Sequence, residues 1–128
     1  MRCAVLDTNV IVSALISPKG NAAVILGMIT DNLLKPIYCQ QILREYVDVL
    51  TRPRFGFPET RVKESLTLFE MFGVPVDPRK SDFLMIDESD RIFYDAAVAS
   101  AAVLITGNLK HYPREPFVVS PADFLFCV

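Results

Sequence analysis

Tryptophan is absent, histidine occurs once, and the three cysteines, Cys3, Cys39 and Cys127, form no CxxC pair. A scattered, odd set of thiols supports neither a disulfide framework nor a zinc site, so the three read as buried thiols. The one histidine, His111, stands in Lys110-His111-Tyr112-Pro113-Arg114 with no serine or cysteine at a recognisable elbow, which argues against a nucleophilic triad. Neither GxGxxG nor GxxxxGK followed by Ser or Thr occurs, so dinucleotide and P-loop chemistry have no support. Long apolar runs are also missing. Stretches such as residues 22–29 and 101–105 fall far short of the roughly 18 to 20 residues that cross a bilayer. Asp7 interrupts the apolar start too early for a signal peptide, and a cytoplasmic protein with no membrane partner is expected. Positive charge is in deficit, with 13 Lys and Arg against 15 Asp and Glu, a net charge of −2. No global field therefore draws the chain to a polyanion.

What is present is core material. A hydrophobic content of 52% excludes disorder over most of the chain, and 128 residues suit one domain spanning residues 1–128. Residues 3–6 form a short apolar run stopped by Asp7, and Val10, Ile11, Ala14 and Leu15 follow at helical spacing. Turn chemistry in Ser17-Pro18-Lys19-Gly20-Asn21 separates this helix from a second over residues 22–29. A strand over 33–39 leads to a helix over 40–51 that turns Ile42, Leu43, Tyr46, Val47 and Leu50 inward. Two prolines and a glycine make 52–58 a loop, and 60–72 is an amphipathic helix. Val74-Pro75-Val76 suits an edge strand, while 77–89 reads as an irregular connection. An alanine-rich helix over 90–102, strands over 103–106 and 117–119, and a last helical turn over 121–126 complete the chain. This alternation predicts an α/β fold with a mostly parallel sheet and right-handed crossovers.

Ligands bind outside the carboxyl ends of such strands, so Leu6-Asp7-Thr8-Asn9-Val10 and Ile105-Thr106-Gly107-Asn108 come first as site candidates. A carboxylate at a strand end is a good ligand for a hard cation, with neighbouring hydroxyls and amides to hold water. Asp7 equally suits an N-cap, and Thr106 and Asn108 equally suit turn residues bonding their own backbone. Six acids lie between Asp77 and Asp95, a density that solvent, basic partners or a cation must relieve. Within it Asp90 opens the alanine-rich helix, and Asp95 is expected to pair with Arg91 at i,i+4. By pattern alone Glu45 belongs to a solvated stripe with Gln41, Asp48 and Arg52.

The order of Leu6-Asp7-Thr8-Asn9-Val10, Glu45, Asp90 and Leu104-Ile105-Thr106-Gly107-Asn108 resembles the PIN-domain nucleases. Within them it is most similar to the VapC-like toxins of toxin–antitoxin pairs, over nearly the whole length. The resemblance implies a three-layer α/β/α sandwich and a divalent-metal-dependent endoribonuclease that cuts single-stranded RNA by metal-activated water. Under it the acids Asp7, Glu45 and Asp90 are catalytic and hold Mg²⁺ or Mn²⁺, supported by Thr8, Asn9 and Thr106. The family's frequent fourth acid falls on Asn108, whose amide oxygen can ligate a cation without adding charge. A cognate antitoxin and a homodimer are implied partners. The alternative is a catalytically weak or inactive RNA- or protein-binding module of the same family. Arg52, Arg54 and Lys110 are the candidate RNA contacts, and Phe55 and Phe57 suit either base stacking or packing in a dimer or antitoxin groove. An aspartyl-phosphate mechanism through Asp7 would want a second acid two residues on, where Asn9 stands.

Overall fold

The computed structural model describes residues 2–82 and 84–126. Five strands, β1 (Arg2–Leu6), β2 (Leu34–Tyr38), β3 (Val74–Pro75), β4 (Val103–Ile105) and β5 (Val118–Val119), form one sheet in the order β3-β2-β1-β4-β5. Every pairing is parallel. Ala4, Val5 and Leu6 are all fully buried, which a strand achieves only when helices cover both faces of its sheet. The helices are α1 (Thr8–Ile16), α2 (Asn21–Thr30), α3 (Gln40–Leu50), α4 (Glu59–Phe72), α5 (Arg91–Ser100) and α6 (Pro121–Phe126). The result is the α/β sandwich that the alternating pattern predicts.

Strand order decides where a site can form. From β1 the chain moves outward to β2 and β3, then returns to β1's other side for β4 and β5. Connections therefore diverge above the carboxyl ends of β1 and β4, leaving a crevice at this switch point. Leu6 pairs with Ile105 in register, so Asp7 and Thr106, the next residue of each strand, emerge side by side. The Asp7 amide donates to the Ile105 carbonyl at 3.0 Å and holds that register to its last rung.

The edge of the sheet depends on a missing side chain. A Cβ at Gly73 would collide with the Phe69 carbonyl and sit 2.8 Å from the Tyr38 ring, so glycine lets the end of α4 press onto β2. Some expectations shift. The alanine-rich helix is preceded by a 3-10 turn over Glu88–Asp90 and begins one residue later, because Asp87 accepts the Ser89 amide at 3.0 Å and closes a tighter turn first. Val47 faces outward with 41% exposure, since the α3 surface next to α4 is only partly covered. Cys3 and Cys39 are half-buried free thiols rather than fully buried ones, and Cys127 lies outside the described residues. The Arg91 guanidinium forks onto Glu88 at 2.6 and 2.9 Å rather than spending itself on Asp95, whose carboxylate accepts the Ser81 amide at 3.1 Å.

Candidate active site

Asp7 is 6% exposed and occupies the N-cap position of α1, yet its side chain makes no capping bond. Its Oδ2 is instead the focus of three donors: Thr106 Oγ1 at 2.8 Å, Tyr112 OH at 2.8 Å and Asn9 Nδ2 at 3.3 Å. Asn9 is itself oriented, because its Oδ1 accepts the Gly107 amide at 2.9 Å. Thr106 Oγ1 also accepts the Asn108 amide at 2.9 Å, so it serves the turn and the carboxylate at once. These bonds tie the end of β1 to the end of β4 and fix one carboxylate oxygen, while Oδ1 takes part in none of them. The neighbouring Thr8 hydroxyl is buried and without a hydrogen-bond partner. Such an orphaned oxygen beside a fixed carboxylate is a donor awaiting a ligand or water.

Glu45 reaches this neighbourhood through the residue after it. Tyr46 is fully buried, packs against Phe69 and Phe93 with ring centroids 5.0 and 6.0 Å away, and donates its hydroxyl to the Leu6 carbonyl at 2.6 Å. That bond pins α3 to the end of β1, one residue before Asp7. Glu45 is half-buried, and burial first, then the charges of Asp48, Asp87 and Asp7, raise its pKa against the opposing field of Arg52. Asp90 closes the 3-10 turn before α5 and meets His111 Nδ1 at 3.2 Å. Burial, followed by the charges of Asp7 and Asp87, pushes its carboxyl up to about 6 despite the His111 contact. The Tyr112 phenol is pushed strongly upward by burial and by Asp7, so it stays a proton donor to that carboxylate.

Glu45 and Asp90 thus each lie within the fields of Asp7 and Asp87. Among the described residues no three acidic, histidine or cysteine side chains are drawn together into a finished cation cage. Asn108 contributes its backbone to the turn, and it is exposed. Arg52 is exposed and paired with Asp48 at 3.0 Å, Arg54 lies 4.8 Å over the Phe55 ring, and Lys110 is exposed on the 3-10 turn Leu109–His111. Sequence reasoning passed over Tyr112, Tyr46 and Asp87 as parts of this neighbourhood. Asp87 alone had a local signal, three residues before Asp90, where a 3-10 turn superposes side chains.

The family model described as PIN domain matches residues 3–110. The chain belongs to the PIN domain family. PIN domains are generally nucleases, and divalent metals generally serve them. This PIN domain is 33% identical over 107 residues to an uncharacterized protein of Methanocaldococcus jannaschii, a match spanning 81% of this chain and 69% of that protein. Its fold is similar to a chain in the crystal structure of VapBC2 from Rickettsia felis bound to a DNA fragment from their promoter. That match has a TM-score of 0.58 and 19% identity, and it covers 92% of this chain and 96% of the other.

Proposed function

We propose that this PIN domain is a divalent-metal-dependent endoribonuclease acting on single-stranded RNA in the cytoplasm, as the toxin of a toxin–antitoxin pair. The observation that carries the reading is Asp7, a buried carboxylate fixed through one oxygen by Thr106, Tyr112 and Asn9 and facing the fields of Glu45 and Asp90. Hard oxygen donors with the orphaned Thr8 hydroxyl beside them, and with no lysine or arginine ion-paired to Asp7 or Asp90 among the described residues, fit Mg²⁺ or Mn²⁺. Asp7, Glu45 and Asp90 would hold it, with the Asn108 amide as a neutral fourth donor. When bound, the ion supplies Lewis-acid activation of water and charge neutralisation at the scissile phosphate.

The chain's own groups do the rest. Tyr112 and Thr106 orient Asp7 by donating to it, and Asn9 locks the two strand ends. His111 steadies Asp90 through Nδ1. Arg52, Arg54 and Lys110 supply the cations that a polyanion needs beside an acidic crevice. The likeness to the VapBC2 fold supports an antitoxin partner.

Replacing Asp7 by Asn tests the reading. Mg²⁺- or Mn²⁺-dependent cleavage of single-stranded RNA should vanish, and so should the growth arrest on expressing the chain alone; a variant that still cuts RNA at the wild-type rate overturns it. A second reading, a PIN module that binds without cutting, draws on the neutral Asn108 and the open spacing of the acids. It wins if millimolar Mg²⁺ or Mn²⁺ leaves the thermal stability unchanged.

A further inference from the structure

The loop between α3 and α4 is more ordered than its composition suggests. The Phe55 amide donates to the Arg52 carbonyl at 3.1 Å and the Gly56 amide to the Pro53 carbonyl at 3.2 Å, two overlapping turns that fix the backbone. Gly56 then takes φ +60, a left-handed conformation that brings the side chains on either side of it together. Phe55 and Phe57 lie parallel, 5.2 Å between centroids and 4° between planes. Phe57 is rooted against the core, over a cavity of about 460 Å³ shared with Val47, Leu50, Val62 and Leu66. Phe55 lies outside it, and the Arg54 guanidinium stacks on Phe55 at 4.8 Å. The stack therefore runs from core to solvent through two rings and ends in a cation.

Charge sorts the possible occupants. Residues 52–57 carry two arginines and no acid in a chain whose net charge is −2. Arg52 also reaches back toward the crevice, because its field opposes the rise of the Glu45 pKa. Glu45 lies about 7.5 Å of α3 axis before the helix's last residue, Leu50, and Arg52 follows two residues on. A flat apolar face that a planar cation already covers, flanked by arginines and continuous with an acidic hydrolytic site, matches an unpaired base with its phosphates.

We propose that a base of single-stranded RNA crossing the site at Glu45 takes the outer face of Phe55, which Phe57 backs, as the Arg54 guanidinium leaves that face to meet the phosphates with Arg52. The identity of the polymer rests on the function proposed above; the platform itself is tested without cleavage. Binding of a labelled single-stranded oligoribonucleotide to the metal-free full chain is followed by fluorescence anisotropy, with inorganic polyphosphate as a ligand that has charge and no bases. Phe55→Ala should weaken RNA about 5- to 100-fold, leave the salt slope and polyphosphate binding unchanged, and be rescued by Phe55→Trp. Arg54→Gln should lower the salt slope by about one for both ligands. An RNA affinity for Phe55→Ala within about twofold of wild type overturns the proposal, as does an equal loss for polyphosphate. So does a change in oligomeric state by light scattering with RNA binding intact, which would make this face a protein interface. Cleavage is read separately. A chain that stacks RNA without cutting keeps the platform and loses the nuclease; a chain that cuts while Phe55→Ala binds normally does the reverse.

Discussion

Two groups of acids share the segment around the start of α5 and answer their surroundings in opposite ways. Glu88 receives both arms of Arg91, at 2.6 and 2.9 Å, and Asp95 receives the Ser81 amide, while Arg91 also donates to Ser81. The Arg91 hydrogen bonds hold the Glu88 carboxyl below its usual range. Asp90 lies two residues from Glu88, yet it is pushed up to about 6, and Glu45 is raised with it. The first group carries its own counterion and finishes its hydrogen bonds inside the fold. The second leaves like charges facing one another with an imidazole, and it is the second that lies at the switch point of the sheet. An acid cluster that the protein neutralises is scaffold; one that it leaves charged is poised for a cation from solution.

The largest test of that contrast removes charge from the second group. Asp7→Asn keeps the shape and should lower RNA cleavage by at least ~100-fold, the scale of losing one charge-stabilising group, while Asp95→Asn leaves cleavage near wild type. Near-equal losses in a cleavage assay would break the distinction. Arg91→Met attacks the first group. Loss of the guanidinium returns the exposed Glu88 to water but leaves the Ser81 carbonyl and hydroxyl without their donor, which should lower the melting temperature by roughly 5 °C without altering the stabilisation conferred by Mn²⁺.

Asp90→Asn should do the opposite of Arg91→Met. A carboxyl raised from about 3.8 to about 6 on folding binds its proton more tightly in the native state. Its contribution to stability is therefore complete below pH ~4 and is lost as pH rises through ~6. At pH 7 the charged side chain is a cost, and the amide should stabilise the metal-free fold by about 1–2 kcal/mol. Urea unfolding at pH 7 and pH 3.5 checks this: the gain should appear at the first pH and vanish at the second.

How much of this contrast is legible in the chain differs by residue. Residues 3–6 followed by Asp7 announce a buried strand with an acid at its end, because one apolar run and its stop carry both facts. The parallel sheet and its crossovers follow from local patterns as well. Glu45 is not legible by spacing, since it shares its stripe with Asp48, and only the Tyr46 bond to the Leu6 carbonyl separates them; the resemblance to PIN domains supplied what periodicity could not. Tyr112 had no local signal at all, as its bond to Asp7 joins residues 105 apart. The partner of Arg91 was misread for a related reason. Asp95 stood within reach one helical turn on, and the 3-10 turn that aims Glu88 from outside the helix is invisible to a helical wheel.

The smallest effect is the most discriminating. Arg52 belongs to an exposed pair with Asp48, so Arg52→Gln should change stability by no more than about 0.5 kcal/mol. Yet Arg52 is the cation whose field opposes the rise at Glu45. Removing it leaves the second group more negative, which should tighten Mn²⁺ by up to about threefold in calorimetry, while losing one phosphate contact should weaken RNA and reduce its salt slope by about one. Opposite signs for the two ligands follow only if Arg52 lies between the acids and the nucleic acid. A substitution that shifts both in the same direction would place Arg52 with the ordinary surface charges and leave the acids to attract RNA through the bound cation alone.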